Sequence, residues 1–312
     1  MKKQTFCDEN ILITGGSGLV GSYLKEIMSS KQIYISSADY DLCNIFEVSE
    51  MMNKYKPNTI IHLAARVGGI TENIKYPVEF LEQNIQMNTN ILQEAHKHNV
   101  KNLIGIISTC AYPDVSNRYP MTEDELFNGP PQSTNFSYAM SKRILAAHID
   151  AYNKEYNKNW CYLIPCNLYG KYDKFDSEKS HFLSALIKKI IDTDKISGVE
   201  KEIKLLGTGK SLRQFMYARD LARIIMLILE RNIYTNMNVA PNYEYSIKEM
   251  TNIALNVLHK DDINVEFDLK ASLDGQYRKS VSVDKLLKYF PDFEFTSLTE
   301  GIKIVYDYKT KK

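Results

Sequence analysis

Strand-like segments that are apolar throughout recur along the first half of the chain, each followed by a stretch of helical period. Few folds accommodate that pattern. "ENILITGG" (9–16), "QIYISS" (32–37), "TIIHLAA" (59–65) and "NLIGIIS" (102–108) read as strands, separated by helical segments at 17–30, 46–55 and 77–98. A half-solvated antiparallel strand would be apolar at every second residue only. Strands apolar on both faces belong to a parallel sheet covered by helices on either side. A further helix at 137–156 and the strand-like "NWCYLIPCNLYG" (159–170) continue the series. From about 169 the pattern loosens into the polar "KYDKFDSEKSH", and beyond 241 short helices and strands alternate. The expectation is an α/β protein of Rossmann type, a doubly wound parallel sheet with a smaller C-terminal α/β domain. Residues 1–168 and 213–240 would build the sheet domain, and 169–212 with 241–312 the smaller one.

The turn after the first strand is "ITGGSGLVG". Gly15, Gly18 and Gly21 follow a strand and open a helix. There they let the backbone turn tightly, approach a pyrophosphate and offer it the helix N-terminus. The spacing alone is common in strand–helix turns; at the first turn of a parallel βα series it predicts a dinucleotide site. After the second strand, "SSADYDL" supplies Asp39 and Asp41 and no neighbouring cation. An acidic residue there suits a free ribose 2′-hydroxyl, so the residues by themselves lean towards NAD.

Farther on, "SYAMSK" places Tyr138 and Lys142 four apart on one helical face. A phenol titrates near pH ~10 and is a poor proton shuttle at neutrality unless a neighbouring ammonium favours its anion. Such a pair suits ketone reduction or alcohol oxidation. Among 21 tyrosines the spacing carries little by itself; about thirty residues after Ser108, downstream of a dinucleotide turn, it becomes specific.

"TGGSGLVG", "IIHLAARVGG", "STCAYP", "YAMSK", "PCNLYG" and "LLGTGKSLRQF" resemble, in order and spacing, the extended short-chain dehydrogenase/reductases. Within them the chain resembles the branch that epimerises and reduces GDP-4-keto-6-deoxymannose, and the resemblance runs nearly end to end. It implies NADPH as reductant, against the lean towards NAD, although Ala38 stands where the branch would have a basic residue. It implies a cofactor crevice formed by Gly15, Gly18, Leu19, Val20, Gly21, Ser37, Asp41, Leu42, Ala64, Ala65, Tyr138, Lys142 and Asn167. Cys110 and His181 are implied as the base and acid that invert C3 and C5. Ser108 and Tyr138 would serve the C4 oxygen, and Lys142 the nicotinamide ribose and the Tyr138 phenol. Asn167, His181, Arg213 and Lys279 are implied at the substrate, the last two near its diphosphate. The branch's dimers pack two helices per subunit into a four-helix interface, here 77–98 and 137–156, which implies a homodimer.

Each residue also has a plainer reading: Cys110 as a small buried thiol, His181 as a loop histidine, Asn167 as a turn former, Arg213 and Lys279 as solvated cations. Two functional alternatives stand beside the bifunctional one. The chain could reduce C4 of a sugar, hexose or heptose, already epimerised elsewhere, or be an inactive dinucleotide-binding regulator. With 39 Lys and Arg against 38 Asp and Glu, there is no basic excess of the kind nucleic-acid binding requires. No stretch resembles a signal peptide or membrane span, so a cytoplasmic protein is expected. Five cysteines with no CxxC pair suggest neither a disulfide framework nor a metal site.

Overall fold

The first nineteen described residues already contain the feature around which the site is built: a fully buried strand, β1 (Ile11–Thr14), a glycine turn, and α1 (Leu19–Ile27). The computed structural model describes residues 10–28, 31–175, 182–195, 200–269 and 275–311. After α1 come β2 (Ile33–Ile35), α2 (Ile45–Tyr55), β3 (Thr59–His62), the short α3 (Ile70–Lys75), α4 (Pro77–Lys97) and β4 (Asn102–Ile106). Next are α5 (Phe136–Tyr156), β5 (Asn159–Pro165), β6 (Asn167–Tyr169), α6 (Phe182–Asp194), β7 (Glu202–Leu206), β8 (Leu212–Arg213) and β9 (Phe215–Tyr217). The chain closes with α7 (Ala218–Arg231), β10 (Met237–Val239), β11 (Tyr245–Ser246), α8 (Ile247–Leu258), β12 (Asn264–Asp268), α9 (Asp284–Tyr289) and α10 (Leu298–Thr310).

Six strands pair in the order β2-β1-β3-β4-β5-β10, every pairing parallel. Chain order reverses between β1 and β3. Such a switch point leaves a crevice beyond the strand ends, where ligands of open α/β sheets bind. The short strand pairs β11–β8, β12–β7 and β6–β9 lie outside this sheet. Late in the chain β10 adds to this sheet, pairing with β5 at its edge.

Helix ends follow local chemistry. α4 starts with Pro77, whose missing N–H costs nothing in a first turn. Asn44 caps α2, accepting from Phe46 N at 3.0 Å. α1 begins two residues later than the periodicity suggests, because Gly18 is its extended N-cap and makes no side-chain cap. The first N–H groups of α1 thus have no side-chain cap.

Candidate functional site

Gly15 has a positive φ of 68°, and a Cβ on it would stand 2.8 Å from the backbone nitrogen of Ala64, at the end of β3. At Gly21 a Cβ would come within 2.6 Å of Gly15 O. The turn is therefore pressed against both the switch-point loop and its own helix, a cradle that only glycine permits. The open helix end and this bare backbone fit a pyrophosphate. Beneath it Thr14 Oγ1 accepts from Ala64 N at 3.3 Å and bonds His62 Nδ1 at 2.8 Å, while His62 Nε2 bonds Asn88 Oδ1 at 2.9 Å. The chain of bonds requires Nε2–H as donor and Nδ1 as acceptor. Burial pushes the His62 pKa down to about 4, so the ring is neutral. This relay ties β1, β3 and α4 together under the crevice.

After β2, the edge strand beside β1, Asp39 is occupied by its own turn. Ser36 Oγ and N donate to it at 2.6 and 2.8 Å. Those bonds, with lesser help from Lys25 and Lys54, hold the carboxyl below its usual range. Cations therefore do stand near this strand end, but they come from α1 and α2 rather than from the "SSADYDL" loop. Asp41 Oδ1 accepts from Cys43 N at 2.9 Å, Ser37 is exposed, and Leu42 is buried beneath Asn90, which donates to Leu42 O at 2.9 Å.

The "STC" stretch is not a strand end, as the sequence suggests. β4 stops at Ile106, and Ser108 caps a 3-10 turn over Thr109–Ala111, accepting from Cys110 N at 3.2 Å. The cap turns Thr109 into the core, 1% exposed, and leaves Ser108 and Cys110 half-buried on the same side. Two cations of α5 hold this turn. Lys142 Nζ donates to Ile106 O at 2.8 Å and Arg143 Nε to Ala111 O at 2.6 Å. Arg143 was invisible as a positioning group in the sequence, where it reads as an ordinary helix cation.

With the turn so held, the Ser108 hydroxyl reaches both the Tyr138 phenol and the Cys110 thiol. Burial, and then the Cys110 charge, push the Tyr138 phenol well above its ordinary range despite the Ser108 bond. Burial brings Lys142 down to about 8. The expected depression of Tyr138 by Lys142 is thus not what the structure has. The ammonium is directed at Ile106 O, 5.7 Å from the phenol ring centre, and the phenol stays protonated at neutral pH. A protonated phenol is the form that donates to a developing alkoxide.

Cys110 has the opposite tendency. Burial alone would raise its pKa, but the Lys279 charge, hydrogen bonds from Ser108 and Lys279, and Arg213 bring it below the ordinary thiol value. Lys279 Nζ lies 3.4 Å from Sγ, across 169 residues of sequence. Arg213 is 9% exposed, its Nη1 donating to Leu212 O at 2.8 Å and Tyr277 O at 3.2 Å. Asn167, the first residue of β6, donates through Nδ2 to Gln214 O at 3.1 Å, next in the chain after Arg213. His181 lies outside the described residues. Among the described residues no group of His, Cys, Asp and Glu could hold a metal ion, and no helix is long and apolar enough to cross a membrane.

A parallel sheet with a glycine turn at its switch point, facing a Ser, Tyr and Lys set, defines the class of dinucleotide-dependent Rossmann enzymes. The chain belongs to the NAD dependent epimerase/dehydratase family, whose model matches residues 11–240. It is similar to GDP-L-fucose synthase of Dictyostelium discoideum, 36% identical over 96% of this chain and 95% of the relative. It is also similar to GDP-L-colitose synthase of Yersinia pseudotuberculosis, 38% identical over 80% of this chain and 82% of the relative. The crystal structure of a GDP-L-fucose synthetase from Naegleria fowleri bound to NADP superposes with a TM-score of 0.87, at 32% identity, covering 99% of this chain and 94% of that one.

Proposed function

We propose that this protein catalyses the NADPH-dependent 3,5-epimerisation and 4-reduction of a GDP-linked 4-keto sugar. One observation carries the reading: Ser108 and Cys110 share one side of the 3-10 turn after β4, with the Lys279 ammonium 3.4 Å from the Cys110 sulfur and Tyr138, a phenol that burial keeps protonated, beside them. An epimerase-reductase needs a base for carbon acids and an acid for the ketone oxygen, and both stand around one hydroxyl. Relatives bearing the names GDP-L-fucose synthase and GDP-L-colitose synthase, and the NADP in the Naegleria structure, support the substrate class and the cofactor.

The protons on C3 and C5 of a 4-keto sugar are acidic because the electrons left behind delocalise onto the C4 oxygen. Cys110, as thiolate, takes such a proton. The Ser108 hydroxyl donates to the C4 oxygen and stabilises the enolate. A proton returned to the opposite face inverts the carbon, and His181 is the residue we assign to that face. Once both centres are inverted, Tyr138 protonates the C4 oxygen as it gains negative charge. NADPH, when bound in the glycine cradle, supplies the hydride to C4. Lys142, buried against the end of β4, holds the 3-10 turn against α5, and we assign it to the nicotinamide ribose. Arg213 is assigned to the diphosphate, whose oxygens suit a guanidinium fork, and Asn167 to the sugar beside it.

We further propose that the working form is a homodimer through the outer faces of α4 and α5. Val78 and Ile144 are 60% and 36% exposed there, next to half-buried Leu81 and Ile85. Size-exclusion chromatography with light scattering reads this directly; a monomer at micromolar concentration refutes it.

The proposed activity is tested by supplying GDP-4-keto-6-deoxymannose with NADPH, following absorbance at the reduced nicotinamide band and identifying the product by NMR. Consumption of NADPH with a product inverted at C3 and C5 is expected. Reduction without inversion would leave a C4-reductase only, and no NADPH consumption with any GDP-4-keto sugar would refute the enzyme reading.

A further inference from the structure

Lys279 sits on a segment whose neighbours are all fastened, so its position is built rather than incidental. Gln276 Nε2 donates to Pro113 O at 2.8 Å and to Asp114 O at 2.9 Å. Arg278 Nε donates to Glu244 Oε2 at 3.0 Å. Met121 N donates to Ser280 O at 2.9 Å, Ser282 N to Met121 O at 2.7 Å, and Val281 N to Gln214 Oε1 at 2.9 Å. Pro113, Asp114 and Met121 all belong to the loop that leaves the 3-10 turn of Cys110. The strap that carries Lys279 is therefore stitched to the loop that carries Cys110. Its ammonium ends 3.4 Å from the sulfur.

A lysine serving only a diphosphate would be held away from the reacting carbons. This one contacts the atom that would remove their protons. The other groups turned to Cys110 are the Ser108 hydroxyl and the Tyr138 phenol, with Arg213 acting from β8 and Lys142 lying behind the phenol on α5. Two neutral donors and a second cation surround the thiol, and Lys279 is the cation in direct contact.

We propose that Lys279 is the counter-ion that keeps Cys110 as a thiolate and thereby makes it a base at neutral pH. The proposal rests on the reading of Cys110 as the base at C3 and C5. An ammonium at this distance favours the charged form of the sulfur, and only that form accepts a carbon-bound proton. Lys279 is thus a positioning residue that acts through Cys110, beyond any contact it makes with substrate.

The direct test is the pH dependence of Cys110 alkylation by iodoacetamide in the full-length protein, followed by mass spectrometry of the Cys110 peptide. Cys161 and Cys166 are buried thiols pushed up by burial, and the peptide readout separates them from Cys110. Wild-type alkylation is expected to reach half-maximum below the ordinary thiol value of ~8.5. Lys279→Met should raise that midpoint by a unit or more, lowering alkylation at pH 7 about tenfold per unit. Lys279→Arg, which keeps the charge, should hold the midpoint near wild type. An unchanged midpoint in Lys279→Met overturns the proposal. NADPH binding, followed by fluorescence, reports that the variants are folded, and Lys279→Gln replaces the methionine variant if that one is not.

A second readout distinguishes the roles during turnover. In D2O without reductant, Lys279→Met should lose deuterium exchange into a GDP-4-keto sugar at pH 7 and regain it at higher pH, where the thiolate returns. A diphosphate ligand alone would instead raise KM and leave the pH profile in place, which refutes the counter-ion role. The two readings fail separately. A midpoint that follows Lys279 in an enzyme that exchanges nothing sustains the counter-ion and removes Cys110 as base. Exchange that needs Cys110 but ignores Lys279 does the reverse.

Discussion

Replacing His62 with glutamine should flatten the acid side of the stability curve. The ring is buried at 1% exposure between Thr14 and Asn88, with its pKa held down at about 4 against the ordinary 6.5. Both folded and unfolded chains carry a neutral ring at pH 7.5, so the stability due to this group is complete there. As pH falls below 6.5 the unfolded chain takes up the proton and the folded chain does not, so stability is lost down to about 4. Each unit of that gap is worth about 1.4 kcal/mol. At pH 5 roughly one and a half units have been crossed, a loss of about 2 kcal/mol. His62→Gln keeps one acceptor for Thr14 and one donor for Asn88 but has nothing to titrate. Urea denaturation of both proteins at pH 7.5 and pH 5 measures the effect. The wild type should lose about 2 kcal/mol more than the variant on acidification. Parallel losses in the two proteins would show that His62 carries a proton in the fold, or that the relay beneath the glycine turn does not exist.

Tyr138→Phe keeps the ring and removes the hydroxyl, so reduction of a GDP-4-keto sugar should fall by ~10²–10⁴-fold while NADPH binding persists; near-wild-type turnover would discard Tyr138 as the acid. Lys25 and Lys54 are the cations that help hold the Asp39 carboxyl below its usual range. Changing both to glutamine should raise the KM for NADPH and leave that for NADH unaltered, and equal changes for both cofactors would place the 2′-phosphate elsewhere.

The sheet and the glycine turn were legible because they are written in local pattern: strands apolar on both faces, and three glycines at a strand–helix boundary. Tyr138 and Lys142 were legible as a pair because helical spacing puts them on one face. What those groups do to each other was not legible. The depression of Tyr138 by Lys142 follows from distance alone, whereas the structure turns the ammonium to Ile106 O and buries the phenol. Burial decides the sign, and burial is a tertiary property. In the sequence the turn at Ser108 looks like strand because "NLIGII" is continuous with it; the cap formed by the Ser108 hydroxyl ends the strand two residues earlier. Lys279 and Cys110 meet across 169 residues, and no spacing rule connects them. His62 in "TIIH" looks like one more buried strand residue until Thr14 and Asn88 are seen on either side of it. The cations near Asp39 are hidden in the sequence for the same reason, since α1 and α2 bring them to the strand end from outside its loop.

We propose one site that both inverts and reduces, with Cys110 as base and Tyr138 as acid. Its most direct test is the product formed from GDP-4-keto-6-deoxymannose and NADPH in D2O, read by NMR at each sugar carbon, for wild type and Cys110→Ser. The wild-type product should carry solvent deuterium at both C3 and C5 with both centres inverted, and the hydride of NADPH at C4. Cys110→Ser should leave C3 and C5 protiated while still reducing a ketosugar that has already been inverted. Wild-type product with no deuterium at either carbon, or a serine variant that exchanges as fast as wild type, would contradict the account.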